Sequence, residues 1–264
     1  MTDARRINSG SGHRYEIGGE KVPGVTSILS AGIPKGALVN WAAECSARYA
    51  VNHWDELAAM PVADRLDPIV KARHEERNKA AARGTRIHGY AERLLAGEEV
   101  DVPDDFRGHV DQCLTFLAAW DIQEIAVEVT VVNRARWYMG TADLLARVGD
   151  SLDVWLFDWK TGKPGIWPET ALQLAAYAHA ETMLVPGPEP DGFSEIAFPQ
   201  IACAAAVDLQ PDTYEVRPVD ISDETFFTFL YAQQVARFTT ADRADYVGPP
   251  LDAPLFDELE EVDA

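Results

Sequence analysis

A chain of 264 residues with 47% apolar side chains is long enough to bury one full core. It contains no run of eighteen apolar residues, and its start, MTDARRINSGSGHRYEIGGE, lacks the apolar stretch of a secretory leader, so neither a membrane span nor export is expected. The net charge of −20 excludes a broadly cationic nucleic-acid-binding surface, and Cys45, Cys113 and Cys203, odd in number and far apart, point to reduced thiols in a cytoplasmic setting without a disulfide framework or CxxC knuckle.

From the N-terminus, a flexible start leads to HRYEIGG and EKVPGVTS, which read as a hairpin turning at Gly18-Gly19. Thr26 or Ser27 then caps a short helix, and Leu38, Trp41, Ala42, Cys45 and Tyr49 recur at helical spacing. Further helices are expected over 62–80, over 82–96 ending at Gly97, and over 104–120. Residues 1–100 carry 14 basic and 13 acidic side chains, and the segment 71–93 holds seven Lys/Arg against three Glu. That stripe is either a solvated helix of mixed charge or a confined groove for a polyanion.

The character then changes. EIAVEVTVVN (124–133), WYMGTADLLARVG (137–149) and LDVWLFDWK (152–160) are rich in β-formers and fit a three-strand meander. A helix over 168–184 opens at Pro168, two strands follow in EIAFPQIACAAAVDL and TYEVRPVD, and a last helix over 222–238 is capped by Ser222. An acidic tail from about 240, with LFDEL as a possible docking peptide, is expected to be flexible. Helices, a meander, a crossover helix and more strands predict an α/β or α+β fold with a mixed central sheet flanked by helices. The expected organisation is a mainly helical region over 1–120, a core over 121–239 that forms one composite domain with it, and the tail over 240–264.

The stretch LFDWKTGKPG carries the functional signal. In a strand Asp158 and Lys160 share a face while Trp159 points the other way. An ion pair at a strand end would explain this, but each strand of the meander supplies a carboxylate: Glu128, Asp143 and Asp158. Clustered carboxylates suit a hard cation that leaves positions open for phosphate oxygens. Asp143 and Asp158 would bind it together with the backbone carbonyl of Trp159, and His88 on a preceding helix would be a further ligand that makes a Mn²⁺ preference more plausible than strict Mg²⁺. Lys160 would position or deprotonate water, or offset charge on the phosphorane.

The ordered set GTRIHGY, VEVTV, GTADLLA, LFDWKTGK and LQLAAYA resembles the PD-(D/E)xK nuclease superfamily, in particular its RecB-like branch of phage exonucleases and CRISPR-associated exonuclease relatives. The resemblance spans about residues 84–180, and more loosely VPGVTSIL and LVNWAAE. It implies a restriction-endonuclease-like core. His88 matches the branch's helix histidine, Asp143 its first aspartate, Asp158 and Lys160 its D-x-K pair, and Gln173 and Tyr177 its QxxxY element. Glu128 matches an acidic residue preceding the GxxD motif. The implied activity is metal-dependent DNA hydrolysis with one or two Mg²⁺ or Mn²⁺ ions, by an exonuclease of phage or bacterial recombination or replication. A structure-specific endonuclease and a non-catalytic DNA-binding protein of the same fold are the alternatives. Gln173, Tyr177, Arg83, Arg86 and Lys163 are candidate phosphate contacts, and Trp137, Tyr138 and Trp167 candidate base-stacking residues. Three cysteines exclude the four-cysteine iron–sulfur cluster found in part of the branch, and no GxxxxGK[ST] motor motif is present. The resemblance further suggests a ring-shaped homo-oligomer and a single-strand annealing or recombination protein as partner.

Overall fold

The computed structural model describes residues 2–9, 12–95, 97–162, 165–188 and 192–251. Its first element is a strand where a flexible start was expected. β1 (Ala4–Ser9) pairs antiparallel with β2 (Gly12–Ile17), which pairs with β3 (Glu20–Val22) through the anticipated turn, where Gly18 and Gly19 both take positive φ. What orders β1 is burial: Ala4, Tyr15, Ile17 and Val22 pack on Val132, Met139 and Leu184 of the main sheet.

Five helices follow: α1 (Val25–Gly32), α2 (Gly36–Asn52), α3 (Trp54–Ala59), α4 (Leu66–Leu95) and α5 (Asp104–Ala119). α1 starts two to three residues earlier than a Thr26 or Ser27 cap predicts, with Gly24 at the N-cap and no side-chain cap. The two helices expected over 62–96 are one. Nothing between Leu66 and Leu95 breaks the backbone ladder, since the alanine-rich centre favours helix and the two interior glycines, Gly84 and Gly89, cost only about 1 kcal/mol each. Gly97, at φ +76, ends it as anticipated.

The main sheet comprises β4 (Ile122–Asn133), β5 (Tyr138–Val148), β6 (Val154–Lys160), β7 (Thr182–Pro186), β8 (Phe193–Ala197), β9 (Ile201–Leu209) and β10 (Tyr214–Val219), with α6 (Glu169–Ala178) after β6 and α7 (Asp223–Thr240) at the end. Its order is β10-β9-β6-β5-β4-β7-β8, antiparallel except for the parallel pair β6/β9. The fold is therefore the expected mixed α/β class. Two boundaries differ from expectation. The helix expected to reach 184 stops at His179, because Thr182–Leu184 pair with Val132–Thr130 of β4. The long strand expected before 209 is two strands, β8 paired with β7 and β9 paired with β6 and β10, with Pro199 in the link between them. Ser222 does cap α7, accepting from the amide of Thr225.

Helices cover both faces. α1, α6 and α7 enclose one core with Val129, Val131, Leu145 and Leu156. α5 brings Cys113 and Phe116 onto Leu144, Phe157, Trp159 and Val207 on the opposite face, and the small sheet covers the rest of that face. α1 crosses α7 so closely that a Cβ on Gly32 would lie 2.0 Å from the carbonyl oxygen of Ala232. Among the described residues, no helix is long and apolar enough to cross a membrane. The segment containing LFDEL lies outside the described residues, as does Lys163.

Candidate metal centre

The β5–β6 ladder runs from Ala146↔Trp155 to Leu144↔Phe157 and stops there. At the next position the strands part, and the carboxylate of Asp143 takes the place of a backbone acceptor: its Oδ2 accepts from the amide of Trp159 at 2.8 Å. The opening created by this splay holds the site.

Beside it, β4 contains an irregularity of its own. Glu128 has φ +49, the left-handed region that a non-glycine residue enters only under constraint. The consequence is visible in the packing. Val127 belongs to the α5 core and Val129 to the opposite one, although residues two apart in a regular strand share a face. Glu128 is the pivot, and its carboxylate turns toward Asp143 and His88. His88 Nδ1 lies 3.8 Å from Asp143 Oδ1 and 4.0 Å from Glu128 Oε1. His88, Glu128 and Asp143 each offer one ligand atom, all within 4.8 Å of one another, so this partly buried group could hold a metal ion.

The chemistry of the donors fits one. Burial, then the charges of Asp158 and Glu128, hold the Asp143 carboxyl well above the usual carboxylate range, a crowding that a divalent cation would relieve. Burial also lowers the pKa of His88, outweighing the raising effect of Asp158 and Glu128, and leaves it the neutral imidazole that metal binding requires. The backbone of Trp159, close to His88, also favours its charged form without overturning the effect of burial.

Asp158 and Lys160 do share a face, that of α6. Lys160 Nζ lies 2.6 Å from Asp158 Oδ2, off the hydrogen-bond direction, so this buried oxygen has an ionic partner but no hydrogen bond. Gln173 joins the two, donating to Asp158 Oδ1 at 2.9 Å while its Oε1 accepts from Lys160 at 3.3 Å. Burial alone would lower the pKa of Lys160, but its pairing with Asp158 prevails and raises it, so the side chain stays an ammonium. Asp158 is thereby engaged by Lys160 and Gln173, and the ready donor group is His88, Glu128 and Asp143. The sequence reading centred the metal on Asp143 and Asp158 and could not see the turn that recruits Glu128.

Other predicted residues are placed as follows. Tyr177 is 2% exposed and touches the site through Gln173, which donates to its hydroxyl at 3.2 Å; it is not positioned to meet a phosphate. Its ring lies on the backbone of Gly140, where a Cβ would come within 2.4 Å. Arg83 contacts His109 Nε2 at 3.1 Å and Arg86 lies over the ring of Phe106, so both engage α5 and not the carboxylates. Tyr138 is a core residue, fully buried with its hydroxyl donating to the carbonyl of Ala176 at 2.7 Å, which corrects its assignment to base stacking. Trp137 packs beside the core under the small sheet, whereas Trp167 is exposed.

Sequence reasoning missed Arg6, Tyr15 and Thr141. Arg6 donates to Glu128 Oε2 at 3.4 Å and to Thr141 Oγ1 at 3.3 Å, and the Tyr15 hydroxyl lies 2.9 Å from the same oxygen. No local signal marks them, because β1 reaches the site only through tertiary packing. Tyr15 also forms one wall of a cleft of about 640 Å³ between the small sheet, α1 and α7. Its lining includes His13, Arg14, Lys21 and Arg237 and no carboxylate, an exception in a chain of net charge −20.

No family model and no curated protein matches the chain. Solved structures do match; one, "Crystal structure of SSO0001", is 13% identical over 84% of this chain and 80% of that one, at a TM-score of 0.37. At that score the likeness carries no functional argument.

Proposed function

We propose that the protein is a metal-dependent deoxyribonuclease acting at the opening between β5 and β6. The observation that carries this reading is the side-by-side placement of a cation-ready donor group, His88, Glu128 and Asp143, and an ammonium, Lys160, fixed by Asp158 and Gln173. Ligand sets of this kind recur where phosphodiesters are hydrolysed, and an ion pair kept only for structure would not need three further titratable groups beside it.

A divalent cation held by His88, Glu128, Asp143 and the Trp159 carbonyl would supply Lewis acidity toward a phosphate oxygen and lower the pKa of water. The chain's own residues do the rest. Lys160, kept protonated, presents a fixed positive charge where negative charge grows on the phosphoryl oxygens, and Gln173 and Asp158 hold it there so that it need not reorganise during reaction. Arg6 screens Glu128 from the far side. The cleft lined by Arg14, Lys21 and Arg237 offers a confined cationic path beside the site, which would reconcile a DNA substrate with the acidic remainder of the surface.

The test is degradation of end-labelled linear duplex beside a covalently closed circle, in Mg²⁺ and in Mn²⁺, for wild type, Lys160→Ala and Asp143→Ala. Loss of linear DNA alone, abolished in both variants, is expected of an exonuclease. Nicking of the circle would make the enzyme an endonuclease. Intact substrates under both metals would remove the catalytic reading.

A further inference from the structure

The small sheet turns one face toward the main sheet, and that face changes character along its length. Ala4 lies opposite Ile17 and Arg6 opposite Tyr15, so all four side chains point the same way. At the first pair the face is apolar, buried with Val22 on Val132, Met139 and Leu184. At the second it presents a guanidinium and a phenol to the strands that carry Glu128 and Thr141.

The Thr141 hydroxyl is their common anchor. It accepts from Arg6 Nη1 at 3.3 Å and meets the Tyr15 hydroxyl at 2.9 Å. Tyr15 is 3% exposed, and its hydroxyl also lies 2.8 Å from His13 Nε2, so it is fixed from both sides. Arg6 is tied a second time through Nε, which donates to Asn8 Oδ1 at 3.1 Å. Held in this way, its Nη1 donates to Glu128 Oε2 at 3.4 Å, while Oε1 faces His88 at 4.0 Å. One oxygen of Glu128 is thus taken by the guanidinium, and the other is left for a cation.

Glu128 requires a hold of this kind. Its φ of +49 is a conformation that surrounding contacts must impose, and its charge is set against that of Asp143. Released from Arg6, its carboxylate would be free to swing away from the centre. We propose that Arg6 is a positioning residue which, anchored by Thr141 and Tyr15, aims Glu128 at the cation, so that the small sheet is a working part of the metal centre. The proposal rests on the reading of His88, Glu128 and Asp143 as a cation site.

Arg6 acts on a bound cation in two ways of opposite sign. Its charge repels the cation, and its grip on Glu128 supplies a ligand. The repulsion is weak, because the guanidinium is paired with a carboxylate and is 26% exposed, so that solvent screens it. Partners that orient a metal ligand from behind commonly carry about 10–100-fold in affinity. The sign of the change on removing Arg6 therefore separates positioning from mere proximity.

Calorimetric titration of Mn²⁺ into the metal-free full chain tests this, with thermal melts in EDTA beside it. Arg6→Ala should weaken binding about 10–100-fold. Arg5→Ala, on the opposite face of β1 and paired with Glu16, should leave it unchanged. Thr141→Val keeps the charge of Arg6 but removes its anchor, and should weaken binding in the same direction while the metal-free protein melts as wild type does. Binding by Arg6→Ala that equals or exceeds wild type overturns the proposal and leaves the cation site standing. So does wild-type affinity in Thr141→Val, the deciding variant if Arg6→Ala melts well below wild type. An equal loss in Arg5→Ala also overturns it, since the small sheet would then act only through its general stability. A wild type that binds no Mn²⁺ removes the proposal together with the cation site.

Discussion

Asp143 combines two demands that pull against each other. Its Oδ2 accepts the Trp159 amide and so closes the end of the β5–β6 ladder, while its charge sits buried beside Asp158 and Glu128. Asparagine keeps an acceptor oxygen and removes the repulsion. Asp143→Asn is therefore expected to leave the metal-free protein as stable as wild type or more stable by about 1 kcal/mol, while abolishing cation binding. Denaturant melts in EDTA and calorimetric titration with Mn²⁺ read the two effects separately; a destabilised variant would show that the carboxylate supports the fold. Gln173 works at one remove, since its amide is what fixes Lys160 and Asp158 relative to each other. Gln173→Ala should lower kcat about 10–100-fold with little change in KM, whereas loss of a substrate contact would raise KM.

Among the elements, the β7–β8 hairpin adds a carboxylate anchor to its backbone pairing with β4. Glu195 accepts from Arg134 Nη2 at 2.7 Å and from Thr182 at 2.6 Å, and it also receives the hydroxyl of Thr2. These partners, Arg134 above all, lower its pKa from the ordinary 4.5 to about 2. A depressed carboxylate contributes stability that is complete above pH 4.5 and is lost as pH falls toward 2. Thermal melts from pH 6 to pH 2.5 should show that decline, and Glu195→Gln should be less stable at pH 6 yet flatter across the window. Identical slopes for the two proteins would mean that other groups govern acid unfolding. The elements also show what local sequence can carry. The meander was legible because alternation and turn residues are local properties, and so was α7 with its Ser222 cap. β1 and the end of α6 were not, since their fates depend on partners far along the chain: Ile17 and the main sheet for one, β4 for the other. Of the site, Asp143, Asp158, Lys160 and His88 could be read as a pattern. Glu128 could be read as one of the clustered carboxylates, but not the left-handed turn that aims it at His88 and Asp143, and Arg6 left no trace in the sequence.

On the scale of the whole molecule, the parallel pairing of β6 with β9 implies an order of events. β4, β5 and β6 are joined by short turns and can find one another early. β9 reaches β6 only after the forty residues 161–200, which include α6 and the β7–β8 hairpin on the far edge of the sheet. Closing that long loop is entropically slow. Until it closes, the strand that bears Asp158 and Lys160 is an open sheet edge, with Asp158 facing an unfilled position where Ala206 will later sit. In pulsed hydrogen exchange during refolding, amides of β4 and β5 should gain protection before those of β9, and cleavage of DNA should return with the second group. The centre would then assemble last, so that a partly folded chain holds its carboxylates near one another without yet having the geometry of the complete site; on the nuclease reading proposed above, nascent copies would be kept from cutting DNA until the sheet is whole.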